Sequence, residues 1–163
     1  MSDPDAVAGD ILDVVHSHAA KLGRFERVND HEPSNRPGHG LTAALWLDRI
    51  DPVPRASGLA VTTARLIVKL RIYSAMEQEP KDAIDPNLSA AAWALIRVLV
   101  ADLRLGTDPN TTPRREIDVQ GAHGVSLFAQ GGYLEWDDGG MDRVMDLTIP
   151  VVVYDVWPQE EGA

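Results

Sequence analysis

"LAVTTARLIVKLRIYSAM", residues 59–76, decides the fold, because apolar and polar side chains alternate along it. One set of alternate residues is mostly apolar and comprises Ala60, Thr62, Ala64, Leu66, Val68, Leu70 and Ile72. The other set contains the charged residues and comprises Val61, Thr63, Arg65, Ile67, Lys69, Arg71 and Tyr73. Side chains along a β-strand point to opposite faces in turn. The pattern therefore predicts a long strand with one buried face.

Further strand candidates lie on both sides of this stretch. Residues 41–53, "LTAALWLDRIDPV", are apolar and end at a proline-containing turn, which predicts a second strand and a hairpin through residues 51–58. Three more candidates fill the last third of the chain, in residues 114–122, 125–136 and 141–157.

Glycines and a proline punctuate these last strands. "DDGG", residues 137–140, predicts a hairpin turn. Gly131 and Gly132 inside a strand pattern predict a bulge or a bend. Pro150 cannot donate a backbone hydrogen bond, so it predicts a strand edge or a bulge.

The first helix is predicted close to the N-terminus. Ser2 or Asp3 can cap it, Pro4 suits its first turn, and Gly23 ends it. The residues of its apolar face recur at helical spacing and are Val7, Ile11, Val14, Val15 and Leu22.

The second helix is predicted after the long strand, with Asp85 as its cap, Pro86 at its first position and Gly106 as its C-cap. Its apolar stripe comprises Leu88, Ala91, Ala92, Leu95, Val98, Leu99 and Leu103. The order of elements predicts one α+β domain over residues 1–163, a mainly antiparallel sheet with two helices packed on one face.

Composition excludes several classes of protein. The chain has 163 residues, a formal net charge of −10 and no cysteine, so it holds neither disulfides nor thiolate metal sites. A protein that grips nucleic acid needs a basic face, and we expect no dedicated DNA-binding role. No apolar run is long enough to span a membrane, and the acidic N-terminus predicts no signal peptide.

Residues 29–40, "NDHEPSNRPGHG", are the segment whose composition most suggests chemistry. His31, Glu32 and His39 could form a metal site of two histidines and a carboxylate, but their spacing matches no known ligand pattern. The chain shows no nucleophile motif, no phosphate-binding loop and no convergent pair of acids. We therefore expect no catalytic residue, no cofactor and no bound metal.

Arg65, Lys69 and Arg71 share the charged face of the predicted long strand. One interpretation is a solvated sheet face, whose cations pair with acids such as Asp142 and Asp146 on another strand. The other is a face that meets a second subunit or lines a channel. The sequence is compatible with both.

Three longer phrases carry a resemblance to a known family: "HEPSNRPGHGLTAALWLDRIDPV", "SGLAVTTARLIVKLRIYSAMEQEPKDAIDP" and "VQGAHGVSLFAQGGYLEWDDGGMDRVMDLTIPVVVYDVW". In this order, and in a chain of this length, they resemble the tail terminator (tail completion) proteins of long-tailed, non-contractile phages that infect actinobacteria. The resemblance covers most of the chain, from His31 to Trp157. It rests on overall pattern, since no phrase is a catalytic signature.

The resemblance implies a tail-tube-like fold and a homohexamer ring at the head-proximal end of the tail tube. Such a ring ends tube polymerisation and joins the tail to the head connector or neck protein. DNA passes through its lumen without specific binding, which suits an acidic protein. The implied location is the virion tail, after assembly in the host cytoplasm, with no enzyme activity, cofactor or membrane.

Residues 29–40 are then predicted to form a contact loop for a neighbouring subunit or a tail partner. Its two prolines limit backbone freedom and lower the ordering cost of binding. The predicted contact residues are His31, Glu32, Pro33, Arg36, Pro37, His39, Arg65, Lys69 and Arg71. Two other functions stay open: another neck, head-closure or tail-tube structural protein, and a small metal-dependent enzyme that uses the loop histidines.

Overall fold

Two helices and six strands make up the part of the chain that the computed structural model describes, which is residues 3–33, 40–53, 62–76 and 84–157. In chain order these elements are α1 (Pro4–Lys21), β1 (Arg27–Asn29), β2 (Leu41–Val53), β3 (Thr63–Ala75), α2 (Ile84–Val100), β4 (Arg115–Ile117), β5 (Phe128–Glu135) and β6 (Met141–Val153).

The strands form one sheet in the order β1-β2-β3-β6-β4, and β5 also pairs with β6. β2, β3 and β6 have 13 residues each and pair antiparallel, while the short β1 runs parallel to β2. β5 pairs with the first part of β6, up to Thr148, and β4 pairs with its end from Val151 onward. The predicted pairing of β2 with β3 is confirmed, although residues 54–61 between them lie outside the described residues.

Both helices pack on one face of this sheet and cover the hydrophobic core. β3 supplies the core with the alternate residues that the sequence predicts, namely Ala64, Leu66, Val68, Leu70 and Ile72. α1 and α2 add Ile11, Val15, Leu88, Leu95 and Leu99, each at most 1% exposed. The predicted α+β fold is thereby confirmed, while the extent of the domain, residues 1–163, stays a prediction.

The helix ends differ in part from the sequence prediction. Asp3 caps α1 as expected, and its Oδ1 accepts a hydrogen bond of 3.0 Å from the Asp5 amide. α2 starts at Ile84, so Asp85 lies in the first turn, where its carboxylate accepts from Arg143 Nε at 3.0 Å. α2 also ends at Val100, before Gly106, and Leu103 is 39% exposed because the chain has already left the helix there.

Of the bulge or bend predicted at Gly131 and Gly132, the bulge is wrong, because β5 pairs with β6 in unbroken register through both residues. Gly131 instead leaves room for the side chain of Arg143. The Arg143 side chain crosses β5 from the neighbouring strand, and its Nη1 donates to the Gly132 carbonyl at 2.7 Å. A Cβ on Gly131 would lie 2.9 Å from Nη2 of the same side chain.

The prediction for Pro150 is also corrected, since β6 is a central strand with partners on both sides and its pairing with β3 is regular at this residue. Pro150 lies between the stretch of β6 that pairs with β5 and the stretch that pairs with β4. A proline is tolerated at that position because neither short strand requires a donor from it. Its carbonyl accepts from the Asp118 amide at 2.9 Å.

Candidate functional site

The predicted contact loop is described only in part. His31 is 73% exposed, and its Nδ1 lies 3.4 Å from Asp30 Oδ1, which holds the pKa of Asp30 below its usual range. Glu32 is exposed and Pro33 is half-buried. Arg36, Pro37 and His39 lie outside the described residues. The alternative of a metal site at His31, Glu32 and His39 therefore stays a hypothesis.

Arg71, on the face of the sheet opposite the helices, pairs with Asp146 of β6 as one interpretation of the sequence predicts. Its Nε and Nη2 donate to the two carboxylate oxygens at 2.6 and 3.0 Å. The side chains are only 21% and 24% exposed, and the hydrogen bonds that Arg71 donates to Asp146 raise the pKa of Arg71 above its usual range. A bidentate pair with this little exposure fixes both side chains more firmly than a solvated pair does.

Arg65 is held by a different set of groups. Nη2 donates to Asp51 of β2 at 2.9 Å, and Nη1 donates to the carbonyl of His123. The bond from Arg65 keeps the pKa of Asp51 below its usual range. Because the loop around His123 lies against it, the Arg65 side chain is 14% exposed. This end of the charged face is therefore covered by the chain itself.

Lys69 lies between the two arginines, and its Nζ donates to the hydroxyl of Thr148 at 3.3 Å. The three predicted contact cations of β3 are thus brought together in one row, but each is engaged within the chain. Asp142, the second acid predicted to pair with them, accepts from the Trp136 indole at 3.1 Å instead.

An aromatic cluster, formed by Trp46, Tyr73 and Trp136, continues this face beyond Arg71. The rings of Tyr73 and Trp136 lie 6.2 Å apart, and the Arg71 guanidinium lies 5.7 Å from the centre of the Trp46 ring. Burial raises the pKa of Tyr73 to about 12, and the charge of Glu32 contributes in the same direction. Glu32, a described residue of the contact loop, therefore lies within electrostatic reach of Tyr73.

Two surface features were not found from the sequence. The outer edge of β5 carries Phe128 and Tyr133, which are 41% and 62% exposed. The outward face of α2 carries Trp93, which is 75% exposed. Trp93 falls outside the predicted apolar stripe of this helix, and this position could have indicated from the sequence that Trp93 is exposed.

The histidines of α1 have structural contacts. His16 Nε2 lies 3.0 Å from the carbonyl of Val28, and His18 Nε2 lies 2.8 Å from Asp102 Oδ2. Burial raises the pKa of Asp102, but hydrogen bonds from Gly106 and His18 outweigh it and leave this pKa below its usual range. Within the described ranges, no three His, Asp or Glu side chains are grouped so that they could hold a metal ion.

The sequence matches none of the known protein-family models and none of the curated proteins with which it was compared. Among the described residues, neither helix combines the length and the apolar character needed to cross a membrane.

Proposed function

We propose that the chain is a structural virion protein that forms a ring on the head-proximal end of a phage tail tube. The ring ends tube polymerisation and connects the tail to the head connector or neck protein. The sequence resemblance to tail terminators supplies the kind of assembly. The edge of the sheet formed by β5 is the observation that supports self-association.

Among the described strands β5 pairs only with β6, and its residues lack most of the features that protect edge strands. Natural proteins block edge pairing with charged residues, prolines, bulges or very short strands. β5 has eight residues, its register with β6 is regular, and its first charged residue is the last one, Glu135. Phe128 and Tyr133 add exposed aromatic surface to the same strand. An edge of this kind favours pairing with a strand of another subunit.

The opposite edge of the sheet is protected by comparison. Beyond β1, the second half of β2 pairs only with β3 among the described strands. That half contains Asp48, Arg49 and Asp51, and its register shifts between Leu47 and Arg49. Charges and an irregular register oppose strand addition. Pairing of a partner strand is therefore proposed at β5 and not at this part of β2.

Alternation along the hairpin identifies the free backbone groups of β5. The Trp136 amide donates to the Gly140 carbonyl, and the Met141 carbonyl accepts from the Met76 amide, away from β5. Opposite residues in an antiparallel ladder alternate between bonded and non-bonded pairs. The amides of Ala129, Gly131 and Tyr133 therefore point to the open edge.

Tyr133 offers a direct test with a matched control. Tyr133→Pro removes an amide at the open edge, and Tyr133→Ala removes only the exposed side chain. We expect both variants to stay folded by circular dichroism, because this amide does not bond to β6. In negative-stain microscopy, with tail tubes of the same virus, Tyr133→Ala should form rings or caps and Tyr133→Pro should not.

The same experiment separates the proposal from its alternatives. Normal assembly of Tyr133→Pro would show that the β5 edge is not used. Long tubes from the unmodified chain alone would make it a tail-tube subunit. If neither rings nor caps form, the terminator role is rejected and another neck or head-closure protein is favoured.

A further inference from the structure

The outward face of α2 carries a second apolar stripe beside the one that packs on the sheet, and its middle residue, Ile96, is partly buried against the core. Trp93, Ile96 and Val100 recur at helical spacing, and with Ala90 they line a shallow groove that also includes Arg24 and Arg97. We name this surface the Trp93 groove. Trp93 is 75% and Val100 45% exposed, so this copy of the chain leaves the stripe largely uncovered.

The residue types of the Trp93 groove are those that dominate protein interfaces. Tryptophan and arginine are the side chains most enriched among residues that contribute strongly to binding. Single exposed apolar residues are ordinary on protein surfaces. A tryptophan, an isoleucine and a valine on one helical face, with two arginines beside them, form a continuous patch, and such patches mark interaction sites.

Charge indicates what occupies the groove. The two arginines stand out in a chain with a net charge of −10, so the occupant should present carboxylates next to an apolar side chain. The tip of the β5–β6 hairpin has this composition. Residues 135–141 contain Glu135, Asp137 and Asp138 and no basic residue, and all three acids are exposed. Met141, at the base of the tip, is 39% exposed.

The hairpin tip is also held in one conformation. The Gly139 amide donates to the Trp136 carbonyl at 2.9 Å, and the Gly140 amide donates to Asp138 Oδ1 at 2.7 Å. Gly139 adopts a φ of +84°, which suits this tight turn. A preorganised tip loses little conformational entropy on binding.

Within one copy, the hairpin tip and the Trp93 groove lie on separate parts of the surface. α2 begins beside the hairpin, where Asp85 contacts Arg143, and it then runs toward the other end of β6. There the Leu103 carbonyl accepts from Ile117, whose partner on β6 is Val151. The residues of the groove lie along this path, beyond the start of the helix. A tip and a groove on separate parts of the surface can join successive copies head to tail, and such contacts form rings when the rotation between copies closes.

We propose that the β5–β6 hairpin tip of one copy docks into the Trp93 groove of the next copy. The inference deepens the proposed ring function and rests on it. Asp137 and Asp138 face Arg97 and Arg24 across this contact, and Trp93 packs against Met141.

The absence of native cysteines permits a clean cross-linking test. Ala90→Cys places a thiol in the groove and Asp137→Cys places one on the tip. Under mild oxidation, assemblies of the double variant should give a disulfide-linked ladder of subunits, and each single variant should stay unlinked. Arg97→Glu should weaken assembly about tenfold, and Asp137→Arg in the same chain should restore it. Asp13→Arg makes the same charge change as Asp137→Arg at an exposed position of α1, and it is the control that should not restore assembly.

The outcomes separate this contact from the ring function. Caps on tube ends without the ladder would overturn the docking contact and leave the terminator proposal standing. A ladder without caps would support the contact and reject the terminator role. If neither caps nor a ladder form, both proposals are overturned. Linkage in the Asp137→Cys single variant would replace the head-to-tail contact with a symmetric one.

Discussion

The two faces of β3 have opposite chemistry but similar burial. On the helix side, Leu66, Val68 and Leu70 are at most 6% exposed and belong to the hydrophobic core. On the other side, Ile67 and Tyr73 are 3% and 2% exposed, although they alternate with cations. The comparison shows that charge along a strand does not by itself indicate a solvated face. The second face is closed by ion pairs, aromatic rings and a loop.

The largest expected effect is on the helix side. Leu70→Ala removes a side chain that is 0% exposed, and it should lower the free energy of unfolding by about 2–5 kcal/mol. Urea denaturation followed by circular dichroism measures this change. Ile50→Ala, at a position that is 53% exposed, should change stability by less than about 0.5 kcal/mol. Equal effects of the two variants would mean that the helices do not cover this face.

A smaller effect is expected for the ion pair on the opposite face. A double-mutant cycle with Arg71→Met and Asp146→Asn should give a coupling energy of about 1 kcal/mol, at the upper end for exposed pairs because both side chains are mostly covered. The matched pair is Arg49 and Asp51, since Arg49 is 54% exposed, and its coupling should be smaller. A coupling near zero for the first pair would make this face a solvated one.

A pH dependence is expected on the same face, and it is confined to alkaline solution. Folding raises the pKa of Tyr73 to about 12, above the ordinary value of 10.0, so the folded chain keeps this phenol neutral while the unfolded chain ionises it. The contribution to stability is fully present below about pH 10 and is lost between about pH 10 and 12. Tyr73→Phe should flatten the dependence of unfolding free energy on pH in this window. The control is Tyr133→Phe, which should keep it, and unchanged curves for Tyr73→Phe would contradict the burial of this ring.

Much of the fold follows from local sequence. The period of two in residues 64–72 gives the buried side of β3, and the "DDGG" turn gives the pairing of β5 with β6. Both signals are local, because strand faces and tight turns depend on adjacent residues. The helices were found for the same reason, although α2 starts two residues before the predicted first position, Pro86, and ends several residues before Gly106.

The candidate site was less predictable, because its side chains meet across long sequence distances. Nothing near Arg65 in the sequence indicates that the carbonyl of His123 accepts from it. The glycines of β5 predicted a bulge because Arg143, the residue that needs the space, belongs to another strand. The contact loop was predicted on the basis of the family resemblance, and its Arg36, Pro37 and His39 lie outside the described residues.

The side chain of Arg143 has a consequence for how this sequence can evolve. It contacts Asp85 at the start of α2, the Gly132 carbonyl and the face of the Tyr133 ring, and it occupies the space that a side chain at residue 131 would need. A larger residue at 131 would displace the guanidinium from all three contacts. Related sequences should therefore inherit the glycine and the arginine together or lose them together, so that paired substitutions at 131 and 143 would trace this arrangement through a lineage.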